Sequence, residues 1–231
     1  TGDYVIFFDS DDLMTENHIS KKLGVLLSTK VDFVIAKTKF LNSDSDFLER
    51  YYTFDQYKIT AHNFIVQNIN WLTYDTLIKS SIAKSIFYNE HLKSGQEYNY
   101  FSKLILKTSS AHFINEYLTL RRMHETSKQG SINKGKDDRL KWQRSLKSMW
   151  LTYLDIETQL PKKTKKTLLY RCIRTIYRCK QFALPHKAKF LKELYKNFGF
   201  ESYHFLLMLL SRKYFNKGYN YREKFKSKVT F

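Results

Sequence analysis

A five-residue apolar run that stops abruptly in acids, Tyr4-Val5-Ile6-Phe7-Phe8 followed by Asp9-Ser10-Asp11-Asp12, constrains this chain more than any other feature. β-Branched and aromatic residues in an unbroken run read as a buried parallel strand, and the sudden change of polarity places the acids at its carboxyl end, where such strands face a site. With Thr15 or Asn17 as the cap, His18 to Leu27 has helical spacing in Ile19, Leu23, Leu26 and Leu27, and Val31 to Phe40 reads as another strand. Strand, helix and strand together predict an α/β unit.

The pattern continues in the same idiom to about residue 131. Residues 42–58 are polar and acidic, a loop or short helix; Ala61 to Ile69 is amphipathic; Trp71 to Ile78 reads as a strand, Ser80 to Ser85 as a short helix, Glu97 to Leu106 as a helix and His112 to Arg122 as a further extended segment. Gln129 to Gly135, polar with two glycines, is the expected linker. Beyond it the period becomes helical, in three apolar stripes: Leu146, Met149, Trp150, Tyr153 and Leu154; Leu169, Cys172, Ile173, Ile176 and Tyr177; Phe190, Leu191, Leu194, Tyr195 and Phe198.

Charge changes at the same place. Residues 1–131 hold 15 Lys and Arg against 15 Asp and Glu, whereas residues 132–231 hold 25 against 7, so the whole formal charge of +18 lies in the second part. Two domains are expected, 1–131 and 132–231, the second an all-helical basic region. Its surface would draw polyanions or anionic lipid headgroups. Cys172 and Cys179, seven apart on one predicted helix, would have Cα atoms roughly 10 Å apart, beyond the reach of about 7 Å for a disulfide; reduced, half-buried thiols and a reducing compartment are expected. The longest apolar run, Phe205 to Leu210, is far below the roughly 20 residues that span a bilayer, so any membrane association would be peripheral. The chain begins without Met inside an apolar run, which reads as a truncation.

Three carboxylates within four residues repel one another, and packing does not require them. A hard divalent cation, Mg²⁺ or Mn²⁺, would offset that repulsion and keep positions for water and substrate phosphates. The alternative for acids standing alone is a loop that answers a helix dipole.

The stretch from Gly2 to Asp12 resembles the GDYI-x-FLDSDD segment of family 2 glycosyltransferases, which have the GT-A fold. That resemblance implies a partial GT-A sheet, Asp9 near the nucleotide ribose and the metal, Asp11 as principal metal ligand and Asp12 supporting them. Two further segments follow in the family's order. Phe87 to Phe101 is similar to the stretch whose second acid begins a helix beside the acceptor, which makes Glu97 the expected general base, although the family more often has Asp there and an acid where Gln96 stands. Leu120-Arg121-Arg122-Met123-His124-Glu125-Thr126-Ser127 is similar to the Y-R-x-H-x-x-S segment, implying His124 and Arg122 near the diphosphate, with Ser127 a weaker candidate.

The implied activity is transfer of a sugar from a nucleotide-diphosphate sugar to a hydroxyl of a glycan, polysaccharide or lipid-linked saccharide, with inversion. In this family the nucleotide-binding strands precede the acidic motif, so this polypeptide alone would bind donor weakly or not at all. The alternative is a truncated or inactive chain whose basic helices bind nucleic acid or a membrane surface. Nucleic acid is the weaker partner of the two, since no RNA- or DNA-binding motif is present.

Overall fold

The computed structural model describes residues 2–41, 45–122 and 138–229. The chain separates into two compact units, Thr1–Asn89 with Asn99–Lys136, and Glu90–Tyr98 with Asp137–Phe231.

The first unit is built on a mixed five-stranded sheet of order β1-β4-β3-β5-β2. Its strands are β1 Tyr4–Val5, β2 Leu13–Met14, β3 Phe33–Phe40, β4 Thr76–Lys79 and β5 Ala111–Arg121. β3 runs parallel to β5, from Phe33↔Ala111 to Phe40↔Arg121, with register shifts around Lys37; β4 is antiparallel to β3 and to β1, and β2 is antiparallel to β5. β3 needs no alternation because Phe33, Val34, Ile35 and Ala36 are all buried, the pattern of a strand covered on both faces.

Helix α1, His18–Thr29, packs on this sheet, where Leu26 joins Val34, Ala36, Leu77, Ile114 and Leu118 in one core cluster. Short helices α2, Ala61–Ile65, and α3, Ser80–Ala83, flank the strands, and α4 runs over Gln96–Lys107. Thr60 caps α2 by accepting from the Asn63 amide. Trp71 lies against Phe64 at 4.1 Å and Phe101 at 5.8 Å between ring centroids, which ties α2 to the part of α4 in this unit.

Two expectations change here. The opening run is not a parallel strand: only Tyr4 and Val5 join the sheet, antiparallel to Lys79 and Ile78, and they are only part-buried. Ile6 to Phe8 leave the ladder, and the two phenylalanines pack against other rings. Phe7 meets Tyr88 and Tyr100 edge-on at 5.8 and 5.3 Å, and Phe8 meets His18 and Tyr74 at 5.6 and 5.9 Å. Helix α1 is also turned from its expected orientation. Ile19 and Leu27 are exposed, while His18, Lys22 and Leu26 form the buried row.

The second unit carries α5 Asp138–Ile156, α6 Lys162–Cys179, α7 Lys187–Phe198, α8 Tyr203–Phe215 and α9 Tyr219–Lys226. The first two predicted stripes are its core, with Leu154 and Tyr177 at the margin. Trp150 stacks on Tyr153 at 5.3 Å, meets Phe190 edge-on at 5.1 Å and donates its indole N–H to the Pro185 carbonyl at 2.8 Å. The third stripe is only half inside: Phe190, Leu194 and Phe198 are buried, but Leu191 and Tyr195 face solvent. Their inward places are taken by Glu193 and Asn197, because Glu193 accepts from the Tyr153 hydroxyl and its carbonyl accepts from Asn197. Gly218, at φ +108°, starts α9 where a Cβ would come within 2.9 Å of the Met208 carbonyl, so this turn requires glycine.

Cys172 and Cys179 are buried, unpaired thiols in α6. Burial pushes Cys172 up to about 12 and raises Cys179, so neither supplies thiolate at neutral pH. Both should react with a thiol-specific disulfide reagent at least about a hundredfold more slowly in the native protein than in guanidinium; a native burst of one thiol equivalent would show that α6 opens.

Candidate functional site

After Phe8 the chain folds back on itself, with the Asp12 amide donating to the Asp9 carbonyl at 3.2 Å. The returning segment is fastened to β5 along its length. Leu13 and Met14 pair with Leu120 and Thr119. The Thr15 amide and hydroxyl both reach the Leu118 carbonyl, at 3.0 and 3.1 Å, and His18 Nδ1 reaches the same oxygen at 2.8 Å. Asp12 Oδ1 accepts from the Arg122 amide at 2.8 Å, holding the chain where it leaves β5.

This turn brings Asp9, Asp11 and Asp12 together, each offering a carboxylate oxygen within 4.8 Å of the others. Asp9 and Asp11 are exposed and Asp12 is 8% exposed. Burial holds Asp12 above the ordinary carboxylate range; the Arg122 amide opposes this, Asp11 and Asp9 add to it, and Arg121 pulls it down. The donor set is one of hard oxygens, with Asp9 and Asp11 exposed, and its chemistry is that of residues that could hold a divalent cation such as Mg²⁺ or Mn²⁺. Asp12 has one oxygen committed to Arg122, which suits a supporting residue better than a principal ligand.

Beneath the turn lies a buried polar network that the sequence reading did not anticipate. Lys22, fully buried on α1, donates to the Tyr74 carbonyl at 2.8 Å and lies 3.0 Å from His18 Nε2. Since a carbonyl can only accept, His18 carries its proton on Nδ1 toward Leu118 and accepts from Lys22 on Nε2. Next to Tyr74, Asp75 accepts from the Thr38 hydroxyl at 2.5 Å, the Tyr52 hydroxyl at 2.9 Å and the Leu72 amide at 2.6 Å.

Burial shifts all three ionisable groups. It lowers His18 to about 4, with the Lys22 charge adding to the effect and the Leu118 bond opposing it. It lowers Lys22 to about 8 against the attraction of Asp75. It raises Asp75 to about 6 against its three donors and Lys22. In the sequence, Lys21-Lys22 looks like an ordinary solvated pair; the available signal was the i, i+4 spacing of His18 and Lys22.

Of the remaining sequence candidates, Glu97 is exposed in the first turn of α4. Its approach is fixed by Gly95, at φ +75°, where a Cβ would lie 2.0 Å from the Ser148 hydroxyl of α5. Glu97 belongs to the second unit and the acids to the first. Arg122 is exposed, and its backbone meets Asp12. Arg121, not singled out from the sequence, is the cation whose charge Asp12 and Tyr74 both feel. His124 and Ser127 lie outside the described residues, as does the expected linker, Gln129 to Gly135.

No family model and no curated protein matches this sequence. Among solved structures, S. aureus TarS 1–349 in complex with UDP-GlcNAc is similar with a TM-score of 0.56 and 15% sequence identity, over 100% of this chain and 70% of that one. The same TarS segment in complex with UDP gives a TM-score of 0.46 and 12% identity, over 94% of this chain and 68% of that one. The first likeness shows the fold: a mixed α/β glycosyltransferase-like sheet with a helical carboxy-terminal region. Because it spans the whole chain, the basic helices, which matched no family feature in the sequence, lie within the shared fold.

Proposed function

We propose that this chain transfers a sugar from a nucleotide-diphosphate sugar to a hydroxyl of a glycan, polysaccharide or lipid-linked saccharide, with inversion, as family 2 glycosyltransferases do. The observation that carries the reading is the gathering of Asp9, Asp11 and Asp12 into one cluster in the turn that follows Phe8, in a glycosyltransferase-like fold. The UDP-GlcNAc bound by TarS makes that compound the first donor to test.

In this reading Asp9 and Asp11 would hold the ion, with Asp12 in support. Mg²⁺ or Mn²⁺, when bound, supplies positive charge for the diphosphate. Asp12 uses its Arg122 bond to keep the turn in register with β5. Arg121, Arg122 and His124 are the groups proposed to meet phosphate charge as the diphosphate departs. Glu97 takes the proton from the acceptor hydroxyl while that oxygen attacks the anomeric carbon; the carbon–oxygen bond to the diphosphate breaks on the opposite face. An exposed carboxylate at a helix start is accessible to an acceptor.

Glu97→Gln is the test, since it keeps shape and removes basicity. In the full-length protein, UDP binding in the presence of Mn²⁺ should stay within about threefold while transfer from UDP-GlcNAc, followed as UDP release, falls at least about a hundredfold. Transfer equal to that of the parent would remove Glu97 from the mechanism.

A further inference from the structure

Helix α8 presents an unusual outer face. Tyr203, Leu206, Leu210 and Tyr214 are all at least half exposed, and at 3.6 residues per turn they fall within an arc of about 80°. Phe205 and Met208 on the opposite side are fully buried, so this apolar face is not needed for the helix's own packing. It continues through Phe200, which is 84% exposed, to Tyr195 on α7, whose rings meet edge-on at 6.2 Å, and Leu191 is exposed one turn before Tyr195.

Charge around this face is one-sided. From residue 180 onward the chain has 12 Lys and Arg and only three acids, Glu193, Glu201 and Glu223. Each acid is engaged: Glu193 is buried against Tyr153, Glu201 pairs with Lys228 at 3.0 Å, and Glu223 pairs with Arg222 at 2.6 Å. Exposed Lys192, Lys196, Lys213 and Lys217 stand among the apolar residues. On the side of α8 away from this row, where Met208 lies, a cleft of about 510 Å³ is lined by Phe182, Met208 and Leu209 together with the basic residues Lys180, Arg212 and Lys213.

We infer that the α7–α8 face docks on an anionic phospholipid surface, its Tyr, Leu and Phe side chains entering the headgroup boundary and its lysines meeting lipid phosphate. Aromatic and leucine residues with interleaved lysines suit that boundary, since the apolar bodies bury while the amines stay hydrated. A protein partner would satisfy the apolar row, but the excess of cations with every nearby acid already paired favours a dense anionic surface. This inference does not rest on the transfer reading, because it concerns vesicle binding without donor or acceptor, and either can fail alone.

The test is flotation of the whole chain with vesicles of phosphatidylcholine alone or mixed with phosphatidylglycerol. Binding is expected only with the anionic lipid. Leu206→Ser/Leu210→Ser/Tyr214→Ser should lower partitioning at least about tenfold with the helical circular dichroism unchanged. Lys162→Gln/Lys163→Gln, which removes two exposed charges on α6, should stay within about twofold. Equal loss in both variants would make the binding diffuse and overturn the assignment of a face. So would unchanged vesicle binding by the triple variant, including the case where that variant dissociates a self-associated protein and so marks a contact between copies.

Discussion

Asp11→Ala is expected to weaken Mn²⁺ binding, read by electron paramagnetic resonance with the metal alone, by at least about tenfold, and to lower transfer at least about a thousandfold. The asymmetry of the three acids gives the experiment its internal controls. Asp11 is exposed, and its charge adds to that felt by Asp12. Asp12 is buried and holds the Arg122 amide. Asp12→Asn keeps an oxygen for that amide while removing a charge, so it should weaken Mn²⁺ less than Asp11→Ala and leave folding intact. Asp12→Ala should instead release the end of β5 and lower stability by about 0.5–1.5 kcal/mol, the range for losing one intramolecular hydrogen bond. Measuring metal alone separates a missing ion site from a missing nucleotide site. Mn²⁺ affinity indifferent to Asp11 would overturn the cluster as the metal site, whatever the transfer assay showed.

The fold was legible where side chains alone decided it. Unbroken apolar runs, such as Phe33 to Ala36, and long helical stripes, such as Leu146 to Tyr153, reappear as β3 and the core of α5, because burial of large apolar groups dominates there. Reading failed where a polar group found a better-paired place inside. Ile19 and Leu27 look like core on any helical wheel, yet His18 and Lys22 occupy it, because partners some fifty to a hundred residues away, Tyr74 and Leu118, satisfy them. A periodicity argument has no access to such distant carbonyls. Leu191 and Tyr195 failed for the same reason, displaced by a glutamate that meets Tyr153 across the bundle.

The acidic cluster was legible because its chemistry is local: three like charges in four residues demand compensation wherever the chain goes. What supports the cluster was not, since Lys22 and Asp75 are 53 residues apart and neither stands in a motif.

That support should reveal itself in the pH dependence of stability, through two opposing contributions over nearly the same range. His18 has a folded value of about 4 against 6.5. The unfolded chain therefore takes up its proton first, and the stability present above 6.5 is lost as pH falls toward 4. Asp75 has a folded value of about 6 against 3.8. Here the folded protein protonates first, so its contribution is fully present below 3.8 and is lost as pH rises through 6. In the parent the two oppose each other as the solution is acidified. Asp75→Asn leaves the His18 contribution alone, and stability should fall more steeply than in the parent by on the order of 2 kcal/mol between about pH 6 and 4. His18→Gln, whose amide can donate to Leu118 and accept from Lys22, leaves the Asp75 contribution alone, so stability relative to the parent should rise by a similar amount as the solution is acidified. Urea unfolding at several pH values gives both difference curves, in which groups common to parent and variant cancel. Oppositely sloped curves are the signature of the network, and curves parallel to the parent would show that the folded protein leaves His18 and Asp75 with their ordinary proton affinities.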